Sequence, residues 1–271
     1  MGRNRPDDQN REVRWHSVDV GNLDNLRETW TAAAPDVVYH LAGAVTGDRS
    51  IDVVIPTLRA NLEGTINAFM LATEIGCERI IVTGSMEEPP PADPAAVAGS
   101  PYAAAKLAGR TYARMFHALY SLPVVWLRVF MVYGPGRQDF RRIVPYTVSS
   151  LLQGIPPRLS SGQRRVDWIY VDDVVEALAS CSVPENNVAG RIMDIGSGSL
   201  TSIRSVVEEL TAIIGARVVP EFGALPDRTL ENQRAAEVSD ARRWLGWSPT
   251  VPLSDGLRRT VEWFRAQEIP V

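Results

Sequence analysis

Short apolar runs alternate with amphipathic stretches through the first two thirds of the chain. Strands buried on both faces read as unbroken Val/Ile/Leu runs, and a crossover helix is what returns the chain to the same end of a parallel sheet. The alternation therefore predicts an α/β fold, with strands over residues 13–18, 36–41, 79–83, 124–129 and 191–195. Helical periodicity fills the gaps, at residues 23–33, 54–75, 101–119, 140–152 and 172–181. Ser100 before Pro101 reads as a cap and a first helical turn. Residues 202–267 are more helical, and "LGWSP" from Leu245 reads as a helix stop. "PPPADPAA" from Pro89 reads as a loop just ahead of the Pro101 helix, where it would border an active site.

Composition narrows the function classes. With 271 residues, 45% of them hydrophobic, the chain has material for one large domain or two interleaved ones. Its 28 basic residues against 32 acidic ones leave a net charge of −4, and no basic stripe is interleaved with aromatics, so nucleic acid is not an expected partner. The pairs Arg141-Arg142 and Arg164-Arg165 read as solvated faces. Cys77 and Cys181 lie far apart at apparent helix ends, and are expected to be reduced core residues rather than a disulfide. The start, "MGRNRPDDQN", is polar, and the most apolar run, "LPVVWLRVFMVYG", is broken by Arg128. Neither a signal peptide, a membrane span nor a metal centre is expected, and the expected location is the cytoplasm.

Of the 28 basic residues 27 are arginine, and the one lysine is Lys106. Arginine substitutes readily where a cation serves only as charge, whereas a compact ammonium suits a tight site; chance survival of one lysine is the alternative. In "SPYAAAKLAGR", Tyr102 precedes Lys106 by four residues, so on a helix the two share a face. A free phenol, with a pKa of about 10, is a poor base at neutral pH. A neighbouring ammonium favours the phenolate, and each unit of depression represents about 1.4 kcal/mol. Ser85, at the end of "IIVTGS", stands where parallel sheets carry functional residues.

Eight segments occur in order: "VVYHLAG" from Val37, "NLEGT" from Asn61, "VTGSMEE" from Val82, "SPYAAAK" from Ser100, "LRVFMVYGPG" from Leu127, "DWIYVDDVV" from Asp167, "DIGSG" from Asp194, and "LGWSP". Together they resemble the extended short-chain dehydrogenase/reductase family, in particular its NAD-dependent epimerase/dehydratase group acting on nucleotide sugars, over about residues 11–267. The resemblance implies a Rossmann-type doubly wound parallel sheet with a small C-terminal α/β substrate lobe. Residues 1–155, with about 167–198, would form the dinucleotide-binding domain, lacking its first β-α-β segment; 156–166 and 199–271 would form the substrate-binding lobe. Tyr102 would be the acid/base, Lys106 would orient the nicotinamide ribose and lower the Tyr102 pKa, and Ser85 would hydrogen-bond the reacting oxygen. Asp19 and Val20 would line the adenine of NAD or NADP, while Leu41, Ala42, Gly43 and Asn61 would shape the cofactor cleft. A turn residue and a helix cap are the plainer readings of Asp19 and Asn61. Glu87 matches the acid position of dehydratases and 4-ketoreductases, with a solvated loop as the alternative, and Met86, Arg165 and Arg228 would meet the substrate. A homodimer through helices 54–75 and 101–119 is implied as well.

The family's G-x-x-G-x-x-G is not found in these 271 residues, and "GSGSLT" from Gly196 lies after a late strand, where a packing and substrate-loop motif is expected instead. Met131 and Val166 stand where the family usually has Asn and Arg serving the nucleotide diphosphate, and Arg165 is the candidate to replace the latter. Either the start is truncated or misassigned, or the chain is a natural short form with impaired cofactor binding. Three functions follow: a nucleotide-sugar epimerase, dehydratase or 4-ketoreductase; a non-redox acid/base enzyme on another biosynthetic substrate; or a non-catalytic partner subunit. Backbone N–H bonds to a pyrophosphate contribute on the order of 1.5 to 3 kcal/mol each. Without the glycine loop, the 271-residue chain is expected to bind NAD with a dissociation constant above roughly 100 μM. Titration calorimetry checks this, and micromolar binding would place the pyrophosphate contacts elsewhere in the sequence.

Overall fold

The computed structural model describes residues 13–90, 95–136 and 138–267; the polar start and part of the loop from Pro89 lie outside the described residues. Two compact units result, one of residues up to Arg128 with Cys181–Ile192, the other of Val129–Ser180 with the residues from Met193 onward.

The first unit carries α1 (Leu23–Ala33), β1 (Val37–His40), α2 (Val54–Leu58), α3 (Gly64–Ile75), β2 (Arg79–Ser85), α4 (Pro101–Tyr120) and β3 (Val124–Val129). β1, β2 and β3 lie side by side in that order. β1 and β2 run parallel, with Val37 opposite Arg79 and His40 opposite Val82. Ile80, Ile81 and Val82 are all buried, which is why β2 reads as a continuous apolar run rather than an alternating one. Phe69 of α3 and Phe116 of α4 meet with ring centroids 5.3 Å apart, in one cluster with Ile80, Val82 and Trp126. Each such side chain, fully buried, contributes about 1.5–3 kcal/mol. The α4 start follows its sequence signals: the Ser100 side chain accepts from the Ala103 N–H at 3.1 Å, and Pro101 occupies the first turn. Cys77 and Cys181 are buried free thiols.

Two expectations for this unit fail. Residues 13–18 form no strand; most are exposed and no ladder partner is found for them among the described residues. Residues 54–75 are not one α-helix, because Arg59–Glu63 form a π-helical turn between α2 and α3. Hydrophobic periodicity cannot register a single extra residue in a turn.

The second unit carries β4 (Met131–Tyr133), α5 (Ile143–Leu152), β5 (Arg158–Leu159), β6 (Arg165–Tyr170), α6 (Val171–Ser180), β7 (Ile192–Ile195), β8 (Leu200–Ser202), α7 (Ile203–Ile214), β9 (Glu221–Phe222), α8 (Ser239–Leu245) and α9 (Leu253–Ala266). β6 pairs parallel with β4 and antiparallel with β8, and β5 pairs parallel with β9. Buried aspartates gather its loops. Asp167 accepts from Ser197 N and Oγ at 2.6 and 2.7 Å, from Gly198 N at 2.9 Å and from Ala236 N at 2.8 Å. The N–H groups of "GSGSLT" thus serve a carboxylate of the same unit, as the packing reading of that motif required. Asp173 does the same for the "LGWSP" segment, its carbonyl accepting from Trp247 Nε1 and its carboxylate from Thr250 N and Oγ1.

Replacing Asp167 by Ala removes the acceptor of three N–H donors, of which the one on buried Ala236 costs about 1–3 kcal/mol when left unpaired. Urea unfolding of Asp167→Ala should show a loss of about 1–3 kcal/mol, with Asp167→Asn, which keeps one acceptor oxygen, losing less.

Candidate active site

β2 ends on a turn locked around Ser85. The Glu88 N–H donates to the Ser85 carbonyl at 3.1 Å and the Glu87 N–H donates to Ser85 Oγ at 3.2 Å. Because an acceptor site of that hydroxyl is occupied, its own proton can be offered to an incoming oxygen. Ser85 and Met86 are buried, and Glu87 is half-buried.

α4 presents Tyr102 and Lys106 from one face, both buried. The Lys106 Nζ lies 5.9 Å from the Tyr102 ring centroid and donates to the Thr83 carbonyl on β2 at 2.7 Å. Burial pulls its pKa down to about 8, against the opposing pull of the Glu88 carboxylate. His40, at the end of β1, is pushed down to about 4, first by burial and then by the Lys106 charge, so it stays neutral at neutral pH. The Thr65 hydroxyl donates to the Asn61 carbonyl at 2.7 Å, which leaves His40 Nε2 as the donor in its 3.0 Å contact with Thr65 Oγ1. His40 braces α3 through this contact.

Asn61 is not a helix cap. It sits within the π-helical turn, 1% exposed, with Nδ2 donating to Ala44 O at 3.0 Å and Thr57 O at 3.1 Å. Its Oδ1 is buried and has no hydrogen-bond partner. Gly43 closes over it: an added Cβ would stand 2.5 Å from Asn61 Oδ1 and 3.9 Å from Lys106 Nζ. An unpaired acceptor beside an ammonium with further donors, against backbone bare of a side chain, suits a ribose, whose hydroxyls both give and accept hydrogen bonds. The residues present therefore fit the nicotinamide-ribose end of a dinucleotide.

The other expected site residues are less convergent. Leu41 is exposed and Ala42 half-buried, just past β1. Asp19 is an exposed turn residue whose Oδ1 accepts from the Gly21 N–H at 2.9 Å. Val20 packs on Gly64 and gives its carbonyl to Asn67 Nδ2. In the second unit, Val166 is fully buried, and Arg165, its strand neighbour, therefore faces the other way. The Arg165 guanidinium donates to the Leu200 carbonyl at 3.0 Å, and Arg228 is exposed. The sequence reading passed over Glu88, fully buried beside Ser85, and Arg110, whose Nε lies 3.2 Å from Glu88 Oε2. The signal was available: Arg110 continues the spacing of Tyr102 and Lys106 by four more residues, and a cation on an inward helix face needs a partner.

A family profile described as the NAD dependent epimerase/dehydratase family matches residues 2–196. The chain belongs to the NAD-dependent epimerase/dehydratase family. A UDP-glucose 4-epimerase of Mycolicibacterium smegmatis is 34% identical over 248 residues, covering 85% of this chain and 76% of that protein. A dTDP-glucose 4,6-dehydratase of Streptomyces griseus is 32% identical over 248 residues, 86% of this chain and 72% of that protein. The crystal structure of a UDP-glucose 4-epimerase from Thermotoga maritima with UDP-glucose superposes with a TM-score of 0.88 at 25% identity, covering 98% of this chain and 88% of that one. The α/β Rossmann-type fold of the family is thus the fold of this chain. Among the described residues, no helix is long and apolar enough to cross a membrane.

Lys106→Arg places a wider, planar cation where the ammonium reaches Thr83, and turnover should fall at least about a hundredfold with the far-UV spectrum retained; activity within about threefold of the parent would show that charge alone suffices. Since the ammonium is lost as pH rises through about 8, turnover of the parent should decline above that pH.

Proposed function

We propose that this chain is an epimerase, dehydratase or 4-ketoreductase acting on a nucleotide sugar with NAD or NADP. The observation that supports the reading is that buried Tyr102 and Lys106 share a face of α4, with Lys106 bonded to Thr83 two residues before buried Ser85 and the orphaned Asn61 oxygen near it across Gly43. The family's nicotinamide cofactor, when bound, supplies the hydride acceptor. Tyr102 takes the proton from the reacting sugar hydroxyl. Lys106 favours the phenolate through its charge and holds the ribose with its remaining donors, and Asn61 Oδ1 accepts from a ribose hydroxyl. Ser85 donates to the same sugar oxygen as Tyr102 and orients it. Nucleotide-sugar chemistry comes from the relatives: the Mycolicibacterium and Streptomyces enzymes are described by UDP-glucose and dTDP-glucose activities. Met86, Arg165 and Arg228, with residues 156–166 and 199–271, are assigned to the substrate within the same reading, and Asp19, Val20, Leu41 and Ala42 to the cofactor.

Glu87, half-buried on the Ser85 turn, favours dehydration within this class. A carboxylate there acts on a different proton from Tyr102. Ile51, Ile55 and Leu58 near α2, and Leu119 on α4, are exposed apolar residues that suit a homodimer through these helices.

Incubation with NAD and either UDP-glucose or dTDP-glucose, followed by product analysis, tests the reading; Tyr102→Phe should abolish whichever turnover is found. If the reaction is a dehydration, Glu87→Gln should stop loss of water while isotope exchange at the oxidised carbon persists. Equal loss of both steps, or of neither, would remove Glu87 from that role.

A further inference from the structure

Tyr102, Lys106 and Arg110 follow one another at four-residue intervals along α4. The Arg110 Nε lies 3.2 Å from Glu88 Oε2, in a pair whose side chains are 14% and 0% exposed. The other Glu88 oxygen, Oε1, accepts from the Ser85 backbone N–H at 2.9 Å and from Trp126 Nε1 on β3 at 3.0 Å. Gly84 leaves room for this, since a Cβ there would collide with Trp126 Nε1 and Glu88 Oε1. A carboxylate taken fully out of water costs several kcal/mol unless well paired, so its place at the end of a central strand calls for a reason beyond packing. Three elements meet on it: the turn after β2, β3 and α4. Lys106 ties α4 to β2 through Thr83, and Glu88 ties the same two elements one helical turn further on.

We propose that Glu88 is a positioning residue: with Arg110 it clamps the Ser85 turn onto the helix of Tyr102 and Lys106, and its charge counterbalances the buried Lys106 ammonium. The proposal rests on the acid/base reading of Ser85, Tyr102 and Lys106 given above. Ser85 and Tyr102 stand on different elements, and they can share one substrate oxygen only if those elements keep their separation. A misplacement of about 1 Å in such a site can cost on the order of a hundredfold in rate. His40 from β1, Glu88 from the turn and Tyr102 from α4 itself surround Lys106, while Arg110 from α4 and Arg128 from β3 act on Glu88. Burial pushes the Glu88 carboxyl up, against the pull of its hydrogen-bond donors and the two guanidinium groups.

Glu88→Gln keeps the shape and an acceptor oxygen but removes the charge. With NAD and UDP-glucose or dTDP-glucose as probes, kcat should fall at least about tenfold while both KM values stay within about threefold of the parent. Because Lys106 is the chain's one lysine, the 13Cε signal of labelled lysine reports on it alone. Its titration should move to lower pH in Glu88→Gln, a measurement that needs neither substrate nor cofactor. Arg110→Gln, at the more exposed end of the pair, is the second variant, with the same kcat loss and retained KM expected; it decides the matter if Glu88→Gln does not fold. A folded Glu88→Gln with parental kcat overturns the proposal, as does a loss in which KM rises in step with falling thermal stability. Tyr102→Phe separates the two readings: if it turns over like the parent, the acid/base assignment fails. In that case, or if the parent turns over neither probe, the Lys106 titration decides, a shift supporting the clamp and an unmoved curve overturning it.

Discussion

The hydrogen bond from the Lys106 ammonium to the Thr83 carbonyl, 2.7 Å long, joins α4 to β2 two residues before Ser85. An ammonium out of water is unfavourable unless donors and charge are answered nearby. Here a strand carbonyl answers one donor, and a carboxylate one turn away answers the charge. Its neighbours are arranged to tolerate it. His40 remains neutral beside it, held by Thr65, and the Gly43 backbone passes close by with no side chain to occupy the space. The other 27 basic residues of the chain are arginines, so its single compact cation is this buried ammonium.

Buried carboxylates are answered in two ways, and the second unit uses both, since Asp194, 1% exposed, pairs with Arg234 at 2.8 Å. In the second unit, Asp167 and Asp173 are answered by backbone N–H and hydroxyl groups, neutral donors that fix loops far apart in sequence. Such sites are saturated and need no counter-charge. Glu88 in the first unit is answered by two neutral donors and a guanidinium. The first arrangement explains why "GSGSLT" and "LGWSP" resemble motifs yet serve packing. The second keeps a net electrical influence that reaches Lys106.

Much of this was legible in the sequence. The parallel strands of the first unit and α1 and α4 followed from apolar runs and capping signals, because burial on both faces and a Ser-Pro start are local in origin. Tyr102, Lys106 and Ser85 could be singled out because helical spacing and strand ends are visible in one dimension. Residues 13–18 misled because an apolar-polar alternation says nothing of whether a neighbouring strand is there to pair. Asn61, expected in the cofactor cleft with a helix cap as the plainer reading, could not be told from a cap in one dimension, because only the π-helical turn reveals that it faces inward. Glu88 was hidden by Glu87: two adjacent carboxylates in a Pro-rich loop look alike until Gly84 and Trp126 make room for one of them.

The turn at Arg59–Glu63 also acts as a rotary coupling within the helical stretch from Val54 to Ile75. An α-helix advances by about 100° per residue, so one inserted residue offsets the faces on either side by that angle. Asn61 within the turn can then reach the loop at Ala44 while Phe69 and Ala72 downstream keep to the sheet. Deleting a residue there would restore a straight rod and swing one of the two faces off its contact. The length of this segment is therefore fixed by azimuth rather than by reach.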